Sequence, residues 1–554
     1  MFYNRRICYM YHDLEQRTMG GVIRYAAKRW PDRTAIYWED KKITFKKLDE
    51  LSDLFAKGIV ARGIQKGDRV GLWMHNHPEW AVAWFGISKA GAVVVPLDYW
   101  YTPGEAEYIL RHSGARALVI SEAMLKVDFP AMVEEIKAKL RGLQLVVILG
   151  NADRKWLTSW EKLVEDGFDI SDEEMNEIAQ EIGEHDMEFI LYTSGTTGRP
   201  KGVVLSHYNM IRNAWDVGSQ LNAMEEDKIL VPIPYSHSFG NTAVLTLSVL
   251  RGAAQTPMLN YEPKKALKMI DRYGITIHPG VPTMFIRELQ EFRKGNYSLD
   301  TLRTGIMAGA PCPIDTVRGV LEEMKCNILI AYGQTEASPV ITMTSLSDSP
   351  ETMATTIGKP LPGIDVHILD TGSHELLPLG QQGEIVCKGY CVMRYGYFKQ
   401  PEETKMTVMD GWLYTGDLGR ADEFGYYSIT GRAKDMVIVG GFNVFPRIIE
   451  EHIITHPKVE DVSVLGVKDP ELGEVVAAGV IPLEGNDIDP QEIVDYCYGA
   501  ISSASVPRYV VILDALPISG RGKVKKFKLK EKINAMIEAG EITKIVPTKV
   551  KKNR

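Results

Sequence analysis

The stretch that decides the fold is YTSGTTGRPKG, residues 192–202, which directly follows the apolar run EFIL. Glycine permits positive φ angles and a close approach of the backbone to a ligand. Successive backbone N–H groups in such a loop form a concave nest for an anion, and the Thr and Ser hydroxyls add donors. The spacing differs from a Walker A loop, because Lys201 lies three residues past Gly198 and is followed by Gly202. The segment therefore predicts a phosphate-holding loop that follows a strand.

Strand-like runs alternate with helical patterns along most of the chain. Short β-branched runs such as RVGLWMH (69–75) and GAVVVPLD (91–98) have the length and composition of buried strands. Helical patterns such as EWAVAWFGISKAG (79–91) lie between them. This alternation predicts an α/β fold with largely parallel sheets.

The pattern changes towards the C-terminus. Residues 357–430 contain short strands with turn residues and no long helix, which predicts a small antiparallel β unit. From about residue 435 a compact α+β pattern follows. We therefore expect a large N-terminal domain of β/α subdomains with this β unit, residues 1–433, and a smaller α+β C-terminal domain, residues 434–554.

The composition excludes several classes of protein. Of the 554 residues, 45% are hydrophobic and 25% are charged, which is typical of globular proteins rather than of disordered or fibrous ones. The 64 Lys and Arg residues against 72 Asp and Glu give a net charge of −8, so we expect no nucleic-acid partner. We also expect no transmembrane segment and no signal peptide. With six cysteines, predicted to be reduced thiols, the chain reads as a cytoplasmic protein.

Further motifs follow the loop in chain order, namely PYSHSFG (234–240), AGAPC (308–312), YGQTEASP (332–339), GEIVCKG (383–389), GWLYTGDLG (411–419), GRAKDMVIVGGFNVFP (431–446) and PISGRGKV (517–524). Together with TSGTTGRPKG they resemble the adenylate-forming (ANL) superfamily of acyl-CoA synthetases, luciferases and adenylation domains. The resemblance covers about residues 20 to 535. The sequence looks most like the bacterial fatty acyl-CoA ligases, which are AMP-forming.

The resemblance implies a two-step ligase that uses ATP, Mg²⁺ and coenzyme A. A carboxylate attacks the α-phosphorus of ATP to give an acyl adenylate and pyrophosphate. The thiol of coenzyme A then takes the acyl group while AMP leaves. Because two anions meet in the first step, the site needs fixed positive charge and a metal ion. The implied substrate is a small hydrophobic carboxylic acid, either a medium- or long-chain fatty acid or an alicyclic or aromatic acid.

By the same resemblance, most of the expected site residues bind the nucleotide. Thr193 and Glu336 would be the metal ligands, and Thr335 would donate to the α-phosphate. The ring of Tyr332 would stack on adenine, and Asp417 would accept both ribose hydroxyls. The full expected set is Thr193, Ser194, Gly195, Thr196, Thr197, Gly198, Lys201, Gly309, Ala310, Pro311, Tyr332, Gly333, Thr335, Asp417 and Arg432.

The remaining expected residues act on the acid and on coenzyme A. Lys523 would bridge the substrate carboxylate and the α-phosphate, as a point charge on a flexible stem. Lys434 would be the hinge about which a mobile C-terminal domain rotates. The expected catalytic residues are Lys523, Thr335, Glu336 and His237, the coenzyme A residues are Gly440, Gly441 and Phe442, and the acyl-pocket residues are Trp215, His237, Phe239 and Gly240.

The sequence leaves other functions open. A stand-alone adenylation enzyme would load a carrier protein instead of coenzyme A, and a luciferase-like oxygenase shares the same scaffold. A non-catalytic protein that binds acyl groups or nucleotides belongs to a different class. Homodimers are common in the family, so the resemblance also allows a homodimer.

Overall fold

The computed structural model describes residues 17–193, 200–310, 312–518 and 524–548. This part of the chain divides into two compact units. The first comprises the residues up to Val366 together with Val386–Tyr414, and the second comprises His367–Ile385 and the residues from Thr415 onward. These divisions fall among the antiparallel strands rather than at Lys434, and the expected boundary at that residue stays a prediction. Along the described ranges, no helix is both long and apolar enough to cross a membrane.

The first unit is an alternating α/β structure. Its strands are β1 (Thr34–Trp38), β2 (Lys41–Thr44), β3 (Arg69–Trp73), β4 (Val93–Pro96), β5 (Ala117–Ser121), β6 (Leu145–Leu149), β7 (Thr158–Ser159), β8 (Met187–Thr193), β9 (Lys201–Ser206), β10 (Lys228–Val231), β11 (Ala254–Pro257), β12 (Ile277–Gly280), β13 (Thr304–Ala308), β14 (Asn327–Tyr332), β15 (Thr342–Met343) and β16 (Lys359–Pro360).

These strands form two sheets with parallel centres. Within the described ranges, one sheet has the order β16-β15-β14-β13-β12-β10-β11-β1-β2, and the other has the order β7-β6-β5-β3-β4-β8-β9. Antiparallel pairs occur only where β2, β9, β15 and β16 join their neighbours among these strands. The predicted α/β fold with largely parallel sheets is confirmed.

Helices connect the strands and cover the sheets. They are Met19–Arg29, Phe45–Ala61, Pro78–Lys89, Pro103–Ser113, Phe129–Ile136, Trp160–Asp166, Asp172–Glu181, His207–Gln220, Ser238–Gly240, Leu247–Arg251, Pro263–Tyr273, Pro282–Phe292, Ile314–Glu322, Pro350–Thr355 and Pro401–Thr407, with 3-10 turns at Lys137–Lys139 and Thr335–Ala337 and a π-helical segment at Asn241–Thr246. Against the sheet that contains β8, the side chains of Trp73, Leu118, Phe129 and Ile148 are buried in one apolar core.

Local sequence signals fix the starts of two helices whose side chains contact the candidate site. The helix Pro103–Ser113 begins with a capping box between Thr102 and Glu105 and ends at Gly114, which has a φ of +68°. The helix His207–Gln220 begins with a second capping box, in which Ser206 and Asn209 satisfy each other's backbone donors. Each helix start is therefore set within a few residues of a strand end.

The second unit contains antiparallel strands followed by an α+β fold. The strands β17 (Ile364–Leu369), β18 (Gly383–Gly389), β20 (Trp412–Ala421) and β21 (Tyr427–Arg432) lie in or extend into it, and the short β19 (Val408–Met409) belongs to the first unit. The α+β part has β22 (Val437–Val439), β23 (Phe442–Val444), β24 (Val459–Asp469), β25 (Gly473–Pro482), β26 (Tyr509–Ile512), a 3-10 turn at Ala433–Asp435 and helices Pro446–Ile453, Pro490–Cys497 and Lys526–Glu538. The predicted antiparallel β unit and the smaller α+β region are both confirmed.

Parallel pairing brings the expected motifs to one edge of a sheet. The last residue pairs of β12 with β13, and of β13 with β14, are Gly280↔Met307 and Ala308↔Ala331. The segments that follow Ala308 and Tyr332 therefore leave the sheet side by side. Ligands of open α/β sheets bind at such carboxyl ends of strands.

Candidate active site

The predicted phosphate loop connects β8 to β9 along the chain. These two strands are antiparallel, with Thr193 opposite Lys201 and Tyr192 opposite Gly202. The strand before the loop is thus confirmed. The expected loop residues Ser194, Gly195, Thr196, Thr197 and Gly198 lie outside the described residues.

The helix Pro103–Ser113 holds both ends of this loop. The hydroxyl of Tyr108 donates to the Pro200 carbonyl at 3.1 Å, and Nδ1 of His112 lies 2.7 Å from the Tyr192 hydroxyl. Burial lowers the pKa of His112 and raises the pKa of Tyr192. Both shifts favour the uncharged forms of the phenol and the imidazole, which share this hydrogen bond. Sequence reasoning missed both contacts, because the partners lie 92 and 80 positions apart along the chain and no local pattern marks Tyr108 or His112 as an anchor of the loop.

Glu336 is held by a segment that the sequence analysis did not assign to the site. This segment, residues 389–398, is called the strap below. The hydroxyl of Tyr397 donates to Oε1 of Glu336 at 3.0 Å, and the Met393 N–H donates to the Glu336 carbonyl at 2.9 Å. The ammonium of Lys201 lies 4.9 Å from the centroid of the Tyr397 ring. Tyr397 thereby brings together Lys201 and Glu336, two of the predicted site residues.

Burial and the nearby charge of Glu336 raise the pKa of Tyr397 above its ordinary value. The phenol remains a hydrogen-bond donor at any physiological pH. The Lys201 contact is a cation–π interaction, in which the ring face attracts the ammonium.

Polar side chains on the helix His207–Gln220 fix the strap and the segment after Glu336. Asn209 donates to the Tyr390 carbonyl at 2.5 Å, and the Tyr390 hydroxyl donates to Asp216 at 2.6 Å. Asn213 exchanges two hydrogen bonds with the backbone of Val340, at 2.7 and 3.2 Å. These residues are three or four positions apart, so they share one face of the helix.

The motif YGQTE begins at the end of β14, as expected. Tyr332 is the buried last residue of that strand and the first residue of the motif. Thr335 begins the 3-10 turn and has only 8% of its surface exposed. At Gly333 a Cβ atom would lie 1.9 Å from the Pro339 carbonyl oxygen, so this turn requires glycine. Gly309 and Ala310 follow β13 next to this motif, and Pro311 lies outside the described residues.

The segment 234–240 reaches Thr335 through Ser238, whose hydroxyl lies 3.3 Å from the Thr335 hydroxyl. Nδ1 of His237 accepts from the Phe239 N–H at 3.2 Å, and Phe239 is buried. At Gly240 a Cβ atom would meet the Pro234 carbonyl oxygen at 2.0 Å. His237 and its neighbours therefore lie in a tightly constrained turn beside Thr335.

Two residues at the ends of β3 and β4 hold this turn. Asn76 accepts from the Tyr235 N–H and donates to the Ile233 carbonyl, both at 2.8 Å. Asp98 accepts from the Ser236 hydroxyl at 2.5 Å. The sequence analysis assigned no role to either residue.

Trp215 occupies a different setting. Its ring lies 3.8 Å from the guanidinium of Arg251, which also donates to the Trp215 carbonyl at 2.9 Å. This contact packs the helix His207–Gln220 against the helix Leu247–Arg251. The acyl-pocket role of Trp215, like those of His237, Phe239 and Gly240, stays a prediction.

In the second unit, the structure pairs the two expected ribose contacts. Asp417 on β20 lies opposite Arg432 on β21, and Arg432 Nε lies 2.7 Å from Asp417 Oδ1. Asp417 is buried, whereas about half of the Arg432 side chain is exposed. The arrangement fixes the carboxylate while its partner remains open to solvent.

The other predicted residues of this unit lie on turns. Gly440 and Gly441 have φ angles of +57° and +87° and connect β22 to β23 in a two-residue turn, and glycine adopts such positive φ angles without strain. The neighbouring Phe442 is 69% exposed. Lys434 lies in the 3-10 turn Ala433–Asp435. Lys523 lies outside the described residues, and its expected role stays a prediction.

Comparison with known proteins agrees with this arrangement. Residues 23–398 match the family model described as AMP-binding enzyme, and residues 448–523 match the AMP-binding enzyme C-terminal domain. YngI of Bacillus subtilis (strain 168), whose name describes it as an acyl-CoA synthetase, is 38% identical to this protein. The match covers 94% of this chain and 98% of the YngI chain. The mitochondrial medium-chain acyl-CoA ligase ACSF2 of Bos taurus is 33% identical over 94% of this chain and 88% of its own. The crystal structure of ATP-bound MatB from Rhodopseudomonas palustris matches with a TM-score of 0.81 and 30% identity, over 93% of this chain and 99% of MatB.

Proposed function

Because the chain belongs to the family of AMP-binding enzymes and is an AMP-forming acyl-CoA synthetase, we propose that it joins a medium-chain fatty acid to coenzyme A. The observation that supports the site assignment most directly is the meeting of Lys201 and Glu336 at Tyr397. One comes from the end of the phosphate loop and the other from the motif YGQTE. The similarity to medium-chain ACSF2 supports a hydrophobic acid of intermediate length.

The first half-reaction forms one bond to phosphorus and breaks another. A carboxylate oxygen of the acid bonds to the α-phosphorus of ATP, and pyrophosphate leaves with the electron pair of the broken P–O bond. Lys201 and the loop N–H groups would hold the β- and γ-phosphates, and Thr335 would donate to the α-phosphate. Lys523 would bring positive charge to the oxygens that meet at the α-phosphorus.

Mg²⁺ fits the oxygen donors that this site offers. Thr193 would supply a hydroxyl, and Glu336 would supply a carboxylate, whose Oε1 accepts from the Tyr397 hydroxyl. Among the described residues, no three His, Cys, Asp or Glu side chains form a cage for a metal. That suits Mg²⁺, which binds through one or two protein oxygens together with substrate phosphates. When bound, the ion would neutralise phosphate charge.

The second half-reaction transfers the acyl group. The sulfur of coenzyme A bonds to the acyl carbon, the bond from that carbon to the adenylate oxygen breaks, AMP leaves, and the thiol proton passes to water. The turn at Gly440 and Gly441 would pass along the pantetheine arm, where its lack of side chains leaves room. Lys434 would be the hinge that exchanges this turn for Lys523 between the two steps.

A series of straight-chain acids tests the proposed substrate. From butanoate to octanoate we expect kcat/KM to rise about fourfold per methylene, because each buried methylene contributes about 0.8 kcal/mol and 1.4 kcal/mol is a factor of ten. The measurement is AMP formation with coenzyme A present. Succinate is the matched polar control and should react poorly. A flat series, or faster turnover of benzoate than of octanoate, would contradict the medium-chain assignment.

The same assay separates the alternative of a carrier-protein loader. With coenzyme A, the proposed enzyme yields octanoyl-CoA in amounts equal to AMP. A carrier loader would release pyrophosphate but leave coenzyme A unacylated. The homodimer and the cytoplasmic location stay predictions.

A further inference from the structure

The strap carries two tyrosines that make the same kind of contact with different carboxylates. Tyr390 donates to Asp216 at 2.6 Å, and Tyr397 donates to Glu336 at 3.0 Å. Asp216 is 1% exposed and also pairs with Arg212 on its own helix, so its contact ties the strap to that helix. Glu336, in contrast, is the carboxylate assigned to the metal. The two tyrosines therefore offer a matched comparison.

The position of Tyr397 is fixed from several directions. Its backbone bridges to Val203 on β9, and the next residue, Phe398, donates to the Gly202 carbonyl at 2.7 Å. The Tyr397 N–H donates to the Thr404 hydroxyl at 2.9 Å, and the residue is only 7% exposed. Its hydroxyl therefore has little freedom to follow a moving carboxylate.

A donor with a fixed position would hold the Glu336 carboxylate in one orientation. A glutamate side chain has several rotamers, and a metal ligand that must first be ordered binds its ion more weakly. A hydrogen bond to one carboxylate oxygen restricts those rotamers. Residues that orient a metal ligand in this way commonly change metal affinity by about 10–100-fold when they are removed.

We propose that Tyr397 is a positioning residue that orients Glu336 for Mg²⁺ and couples that carboxylate to the end of the phosphate loop. The inference rests on the proposed role of Glu336. The coupling runs through Lys201, which lies over the Tyr397 ring and pairs across the two strands with Thr193, the other expected metal ligand. The Tyr397 side chain thus contacts Glu336, one expected metal ligand, and also Lys201, which lies opposite Thr193, the other expected ligand.

The test is ATP binding by full-length wild type, Y397F and Y390F, measured by calorimetric titration at a series of Mg²⁺ concentrations and in excess EDTA. Phenylalanine keeps the ring under Lys201 and removes only the hydroxyl. Mg²⁺ should increase the affinity for ATP in both proteins. We expect Y397F to need about tenfold more Mg²⁺ than wild type to reach half of that increase. Binding in EDTA should equal that of wild type, and Y390F should match wild type in both conditions.

A double-mutant cycle sharpens the result. In an E336Q background the additional substitution Y397F should have no further effect on the Mg²⁺ dependence, because the partner of the hydroxyl is already altered. Equal weakening of ATP binding by Y397F with and without Mg²⁺ would show a structural role and overturn the inference. So would an unchanged Mg²⁺ dependence in Y397F.

The titrations of the wild type distinguish a failure of the role proposed for Tyr397 from a failure of the metal role assigned to Glu336. If ATP binding by the wild type does not depend on Mg²⁺, the assignment of Glu336 fails and the inference fails with it. If the wild type depends on Mg²⁺ and Y397F depends on it equally, only the inference fails. Thermal unfolding of Y397F and Y390F at matched temperatures shows whether both variants are folded.

Discussion

Alanine in place of Lys523 is expected to lower the rate of acyl-adenylate formation by about 10²–10³-fold. The reason is electrostatic, since the carboxylate and the α-phosphate both carry negative charge as they meet, and a positioned ammonium stabilises that arrangement. The measurement is pyrophosphate release in single-turnover reactions with ATP and octanoate.

The rate of the second half-reaction shows whether K523A has lost only the proposed role of Lys523 in the first step or has lost its structure. With synthetic octanoyl adenylate and coenzyme A, the K523A variant should form octanoyl-CoA at close to the wild-type rate, because Lys523 would have left the site by then. Lys528, an exposed lysine of the same basic run, is the matched control, and K528A should leave both steps unchanged. Equal losses of both half-reactions in K523A would argue against the assigned role.

Asparagine in place of Asp417 is expected to raise the KM and Kd for ATP by about 10–100-fold, since a hydrogen bond to a charged group contributes roughly 1.5–3 kcal/mol. A carboxylate accepts from both ribose hydroxyls, whereas an amide offers one acceptor oxygen and an NH₂ group that would face another donor. The pair with Arg432, at 2.7 Å, holds the carboxylate in place before the nucleotide arrives. Calorimetric titration of ATP measures the effect directly.

The exposed pair between Asp40 and Arg272, also at 2.7 Å, supplies a control. D40N removes the same charge from the same kind of contact without touching the expected site, so it should bind ATP as wild type does. An unchanged Kd for ATP in D417N would remove Asp417 from the nucleotide site.

The fold could be predicted because its signals are local. The runs at 69–75 and 91–98 contain β3 and β4, and the pattern at 79–91 covers all but the first residue of the helix Pro78–Lys89. The change to short strands after residue 357 also corresponds to β17 to β21, among which β19 and β21 pair antiparallel with β20. In each case the period of apolar residues, the turn residues and the helix caps agree with each other.

The site could be predicted only in part. Loop and motif residues were found because their types and order carry the chemistry, as with Lys201 and Glu336. The residues that hold them, namely Tyr108, His112 and Tyr397, are ordinary aromatic residues in the sequence. Tyr397 lies 61 positions from Glu336 along the chain, and only the tertiary fold brings the two together. No local pattern could have marked these contacts.

The most direct test of the central claim is the exchange of labelled pyrophosphate into ATP by the wild-type protein, with Mg²⁺, with octanoate and without coenzyme A. The account predicts that label enters ATP only when the acid is present, because reversal of acyl-adenylate formation is the route by which it enters. Exchange without any acid, or no exchange with any acid of the series, would contradict it.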